Sequence, residues 1–443
     1  MKSMTKQCYF ESRVRLSADP LTTVSRLASA GLHEDYVVYE GEDQWSFASG
    51  VLAEITLDRS GAELRGPEEI QLPWDGAPLR QVQTLLDRVP VEEWRAYGWA
   101  AFELAYAKDG DIGSVGGQRL LHLVVPHTEV RLKGDWASLR SADRETLAAA
   151  VAVLSDEPAK QSPEPRPFDV RRSGAEEYQR AVQGAVSEIN AHKFQKVILS
   201  RVVSLEHEVD FVRTYVSGRR GNSPARSFLL RLGGTEATGF SPEIVVRVGA
   251  DGRVVSQPLA GTRALTHDAG RNERLRTELL ADSKEVYEHA ISVKIACDDL
   301  DSVCEPDSIT VEEFMAVRER GSVQHLASRV AGQLAEGKSA WDAFAAAFPA
   351  VTASGVPKTA AYASIRAHEG RARGLYSGAV LTVDRDGAMD AALVLRAVYR
   401  QGGMTWMQAG AGIVGQSLPA REFEETCEKL DSVARFLVPT DVA

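Results

Sequence analysis

The chain has 443 residues, 44% of them hydrophobic and 26% charged, and a net charge of −11. That suits a large folded core, while the negative balance argues against a general nucleic-acid or anionic-membrane surface. Its four cysteines, none in C-x-x-C spacing, exclude a disulfide scaffold and read as reduced thiols. Cys297 and Cys304, seven apart, would share a helix face.

In chain order, MKSMTKQCYFESRVRLSADP has no apolar export core, and no run approaches the ~18–20 apolar residues of a membrane span. A cytoplasmic protein with no membrane partner is expected. Residues 1–150 alternate short apolar runs (YVVYE, VLAEITL, LLHLVVP) with charged turns, as strands with a few helices do, and carry no evident chemistry. SDEPAKQSPEPRPF, 155–168, holds four prolines and cannot form a helix or central strand. It reads as a surface linker, separating an N-terminal part, 1–165, from a core, 172–443.

Beyond it, Tyr178, Val182, Val186 and Ile189 recur at helical spacing. KVILSRVVSL, 196–205, is β-branched and apolar, hence a buried strand. SFLLRL and EIVVRV repeat that signal, and RVVSQPLAGTRAL, 253–265, runs from a strand into a glycine turn. The segment 270–304 reads as helix, and FMAVRERGSVQHLASRVAGQL as two strands. A helix near 340–347, the strands YSGAVLTV, MDAALVLRAVYR and MTWMQAG, and a helix from about 419 complete the chain. Strands outnumber helices at hairpin spacing, which predicts an α/β (α+β) fold: a large, mostly antiparallel sheet assembly flanked by helices.

Two patterns repeat. SKEVYEHA places Glu285 and Glu288 three apart, and REFEETCEKL does the same with Glu422 and Glu425. Residues at this spacing share a helix face. Each pair is either a solvated surface or half of a site where four carboxylates converge on a hard cation such as Mg²⁺, which takes oxygen ligands. Lys196 either snorkels at its strand end or acts as a base, since an ammonium kept from water or beside another cation gives up its proton more readily. Glu243, in GFSPEIVV, is either a strand-edge carboxylate in water or, in a dry pocket, a general acid. Arg396 and Lys429 either close structural ion pairs or bind a carboxylate. His325 reads as a core histidine or pocket wall. AGAGIVG carries Gly410, Gly412 and Gly415 in G-x-G-x-x-G spacing, but QSLP follows where a dinucleotide site needs a helix. Its backbone N–H groups still suit a carboxylate.

KVILSR, GFSPE, PLAGTRA, SKEVYEHAISV, VRERGSVQHL, FPAVTASGVPK, GLYSGAV, LRAVY, AGAGIV and EFEETCEKL occur in this order. Together, over roughly 170–440, they resemble the chorismate-utilising enzymes, and most closely the salicylate synthases. The resemblance implies two pseudo-symmetric halves whose sheets pack as a β-sandwich with helices outside. It implies Mg²⁺ held by Glu288 and Glu425, with Glu285 and Glu422 direct or through water. Lys196 would be the base that activates water and Glu243 the acid that protonates the departing hydroxyl, with His325 among the catalytic groups. Gly261, Thr262, Thr352, Tyr376, Arg396, Gly410, Gly412 and Lys429 would hold chorismate. The implied reaction is Mg²⁺-dependent conversion of chorismate, through isochorismate, to salicylate and pyruvate, with an isochorismate synthase as the alternative. Lys196, together with Ala260 in PLAGT, implies water as nucleophile and no glutamine amidotransferase subunit. A monomer or weak homodimer is expected.

Overall fold

A computed structural model describes residues 8–155, 164–321 and 323–440. Its strands form two antiparallel sheets. The eleven-stranded sheet runs, edge to edge, Phe10–Arg15, Trp136–Ser141, Thr128–Lys133, Trp45–Ser49, Tyr36–Glu40, Arg226–Leu232, Thr235–Ser241, Ala397–Gln401, Met404–Ile413, Lys196–Ser204 and Gly355–Val356. The twelve-stranded sheet runs Leu259–Ala264, Val323–Gln333, Arg253–Ser256, Ile244–Val248, Met389–Leu393, Ala379–Asp384, Arg95–Ala100, Leu121–Val125, Ala53–Asp58, Gly61–Arg65 and Ile70–Pro73. Thr310–Arg320 also pairs with Val323–Gln333.

The apolar runs explain the layering. Val37 and Tyr39 of the first sheet pack with Tyr97, Trp99 and Val380 of the second, so one hydrophobic layer lies between the sheets. The alternate residues Tyr36 and Val38 join a second core with helix residues Val24, Tyr215 and Leu430. Both faces of these central strands are covered, which is why residues 36–39 and 228–230 are continuously apolar rather than alternating. Each fully buried Leu or Phe in these layers contributes about 1.5–3 kcal/mol. The result is the expected α/β sandwich with helices outside.

Strands from both sides of the proline-rich seam share both sheets: Tyr36–Glu40 pairs with Arg226–Leu232, and Arg95–Ala100 with Ala379–Asp384. Residues 156–163 of that seam lie outside the described residues. Where the chain resumes, Arg166 N donates to Leu437 O at 2.7 Å, lying along the C-terminal segment.

Three expectations need correction. The segment 270–304 forms two helices, Ala269–Ala281 and Ser283–Asp301, broken at Asp282, whose side chain accepts from Lys284 N and Glu285 N. Asp is a strong N-cap because it satisfies such otherwise unpaired N–H groups. The second helix ends before Cys304, so Cys297 and Cys304 share no helix face. MDAALVLRAVYR is two strands in different sheets, Met389–Leu393 and Ala397–Gln401. Between them the chain turns at Arg396, with φ of 53°. Gly410 and Gly412 lie inside strand Met404–Ile413, paired with Ser200 and Ile198. The next helix starts only at Pro419, so the glycine spacing opens no helix. Among the described residues no helix is long and apolar enough to cross a membrane.

Candidate active site

Helix Ser283–Asp301 packs on the edge strand Leu259–Ala264 of one sheet, and helix Pro419–Ala434 on Met404–Ile413 of the other. The Asp282 cap fixes the first helix so that Glu285 and Glu288 face inward. Pro419, at a position where its missing N–H costs nothing, opens the second, which presents Glu422 and Glu425. All four glutamates line one cavity of ≈ 370 Å³.

Their electrostatics differ. Burial, then the Glu288 charge, raises Glu285 although Arg263 bonds to it at 3.1 Å. Burial, then Glu425, raises Glu422. Burial also pushes Glu425 upward, but Lys429 at 2.7 Å, with Lys284 and Arg421, outweighs it and holds the carboxyl below its ordinary range. Among the described residues no three acidic, histidine or cysteine side chains are already gathered closely enough to hold a metal. The donor set nonetheless fits a hard cation. It is all carboxylate oxygen, and in each pair one member is raised by its neighbour's charge, a cost that a divalent ion relieves.

Lys196 begins its strand at the cavity wall, 5% exposed, with Nζ 2.6 Å from Glu288 Oε1. Gly412 stands opposite. A Cβ there would meet Glu288 Oε1 at 3.1 Å and Lys196 Cε at 3.3 Å, so glycine leaves room for the ion pair. Glu243 arrives from the other sheet, just before Ile244–Val248, and is 4% exposed. Thr352 Oγ1 donates to its Oε1 at 2.6 Å. Burial pushes its carboxyl up to about 8, against the opposing effects of Thr352 and Lys196. At neutral pH it therefore carries a proton.

Arg396 and Lys429 are the cations of the inner wall. Lys429 is spent on Glu425 and on Gly410 O at 2.8 Å. Arg396 has only Ser432 Oγ, at 3.3 Å, and no ion pair among the described residues. Burial lowers its guanidinium to about 10, so it remains cationic at neutral pH. Tyr376 and Gly410 stand behind the wall: Tyr376 is 2% exposed, its phenol pushed up to about 12 by burial, and a Cβ at Gly410 would meet its hydroxyl at 2.9 Å.

Gly261, Thr262 and His325 also line the cavity. Gly261 has φ +78° at a bulge, and a Cβ there would press on Glu285 Oε2 at 3.1 Å. Only glycine adopts that backbone freely. Thr262 lies across the ladder from His325 and its Oγ1 is 2.9 Å from His325 Nδ1. Burial, then Arg396 and Lys429, push His325 down to about 3, so it is neutral. Its Nε2 is buried without a partner.

The predicted residues thus come to one place, with Tyr376 and Gly410 just behind it. Sequence reasoning missed Arg263, which bonds Asp282 at 2.6 Å and Glu285 at 3.1 Å, and the lining cations Lys284 and Arg421. Arg263 is inside the quoted PLAGTRA, but nothing in its spacing links it to a helix some twenty residues on.

A sequence profile of chorismate binding enzymes matches residues 34–435. The chain is 41% identical over 432 residues to a salicylate synthase from Mycolicibacterium paratuberculosis, covering 95% of this chain and 94% of that one. It is 37% identical over 260 residues to anthranilate synthase component 1 from Methanothermobacter thermautotrophicus, covering 59% of this chain and 56% of the other. Among solved structures, anthranilate synthase component I from Streptococcus pneumoniae superposes with a TM-score of 0.75 at 24% identity, over 89% of this chain and 92% of that one. At that identity the likeness speaks for the fold.

Proposed function

Because the chain belongs to the chorismate-binding enzyme family, we propose that it converts chorismate, through isochorismate, to salicylate and pyruvate. The observation that carries the reading is the pairing of Lys196 and Glu243 in one cavity, the lysine from one sheet and a carboxyl kept protonated by burial from the other. Near-full-length similarity to a salicylate synthase supports the product assignment.

Adding water to C2 while hydroxide leaves C4 needs a proton taken and a proton given at separate points. Lys196 Nζ, once it has given up its ion pair with Glu288 and stands as the neutral amine, takes the proton of the attacking water. Glu243 Oε gives its proton to the departing hydroxyl, and Thr352 keeps the carboxyl aimed. Arg396, which has no ion pair among the described residues, pairs a substrate carboxylate. Glu285, Glu288, Glu422 and Glu425 would hold Mg²⁺, which when bound neutralises the ring carboxylate. In the second step the C2 hydrogen passes to the enolpyruvyl methylene carbon as the C3–O bond breaks. That step balances within the substrate and asks the protein mainly for positioning.

The test is to mix the protein with chorismate, with and without Mg²⁺, and identify the products. Salicylate fluorescence with equimolar pyruvate is expected only with the metal. Isochorismate accumulating as the end product would assign the protein as an isochorismate synthase instead.

A further inference from the structure

We propose that Arg320 is a positioning residue for the enolpyruvyl carboxylate of the substrate, acting beside Arg396 on a small subsite that opens off the catalytic cavity. The inference rests on the chorismate reading above and adds a residue to it.

A void of ≈ 10 Å³ lies among Asn222, Pro242, Arg320, His325 and Arg396. It has room for about one oxygen-sized group. It shares Pro242, His325 and Arg396 with the catalytic cavity, so the two are neighbours through those side chains. Three polar groups around it lack adequate partners. Arg320 Nε and His325 Nε2 are buried with none. Arg396 has only its long bond to Ser432 Oγ.

The surrounding charge points the same way. Arg320 has one long contact, Nη1 to Glu319 O at 3.5 Å, and no ion pair among the described residues. The nearby cations Arg226 and Arg318 are already spent, on Asp390 and Glu313. Arg320 and Arg396 are not. Two guanidiniums beside one void, neither of them ion-paired among the described residues, make a place that favours an anion. A carboxylate oxygen there, or one water hydrogen-bonded to a carboxylate on Arg396, would reach the buried Arg320 Nε and His325 Nε2, which have no protein partner.

The position is built rather than incidental. Arg320 ends strand Thr310–Arg320, and the next residue, Gly321, has φ +64° and donates its N–H to Ser223 Oγ at 3.0 Å. The hairpin end is thereby tied to the Asn222–Pro224 segment that walls the void. In chorismate and isochorismate the enolpyruvyl arm is the flexible one, and its carboxylate becomes pyruvate's. A group that holds this carboxylate sets where the arm lies for hydrogen transfer, and holds pyruvate afterward.

The experiment compares wild type with Arg320→Met and Arg320→Lys. For the Met variant KM for chorismate is expected to rise about ten-fold, with kcat changed less than about three-fold. Arg320→Lys should recover part of the loss. Pyruvate, used as a probe, should compete with chorismate in the wild type, and its binding measured by calorimetry should weaken about ten-fold in the Met variant. A folded Met or Lys variant with unchanged KM and unchanged pyruvate affinity overturns the proposal. So does a loss of kcat alone, or a wild type that does not bind pyruvate. If the reaction products prove not to be salicylate and pyruvate, the functional reading falls, while the calorimetry still decides the subsite.

Discussion

Replacing Glu243 with Gln tests the dry-carboxyl argument without changing the side chain's shape. Gln can still accept from Thr352 Oγ1, which lies 2.6 Å from Glu243 Oε1, but it cannot titrate. Burial moves the wild-type carboxyl from its ordinary 4.5 to about 8. Between those values the folded protein binds a proton that the unfolded chain releases, so stability falls as pH rises. The contribution of this group is complete below the unfolded value and stops declining once pH passes the folded one. At about 1.36 kcal/mol per pH unit, the wild type loses about 3 kcal/mol between pH 4.5 and about pH 7 through this residue. With the side chain 4% exposed, little solvent screening reduces that figure. The Gln variant carries no such loss, and the titrations of groups not coupled to Glu243 cancel in the comparison. Its advantage over the wild type should therefore grow by about 2 kcal/mol from about pH 6 to about pH 8. Urea unfolding of both proteins across that range measures it. The same variant should turn over chorismate about 10²–10⁴-fold more slowly, and wild-type turnover should fall above about pH 8 as Glu243 loses its proton. Stability curves that run parallel with pH would show that Glu243 is not a buried acid.

Lys196→Ala should lower water addition about 10²–10⁴-fold while chorismate still binds, checked by turnover beside calorimetric binding; undiminished turnover removes its role as base. Glu425→Gln should raise the Mg²⁺ concentration for half-maximal activity and KM for chorismate together, read from a metal titration; a change in neither separates that carboxylate from the metal. Gly261→Ala places a side chain where φ is +78° and the nearest atom, Glu285 Oε2, is 3.1 Å away. A stability loss of about 1–2 kcal/mol is expected from the backbone alone, with a weakened Mg²⁺ response from the displaced Glu285; full activity and stability would mean that the bulge relaxes freely.

Much of this chain was legible because the relevant signals are local. A three-residue spacing on a helix fixes which groups share a face whatever surrounds it, so Glu285 with Glu288 and Glu422 with Glu425 were readable as pairs. Continuous β-branched runs marked strands such as Lys196–Ser204, since both faces of such a strand must be buried. Ordered motifs from KVILSR to EFEETCEKL gave the family. What stayed hidden depends on partners distant in sequence. The run MDAALVLRAVYR keeps a strand pattern through Arg396, and only the need to supply strands to two sheets splits it there. The G-x-G-x-x-G spacing looks alike in a loop or a strand, and pairing with Lys196–Ser204 decided for the strand. Whether each acidic pair meets solvent or a shared cavity, and whether Glu243 keeps its proton, follows from burial, which no single segment encodes. Arg263 on Glu285 and Arg320 beside Arg396 are likewise products of the tertiary arrangement, because a charge acts on whatever the completed fold brings within a few ångströms of it.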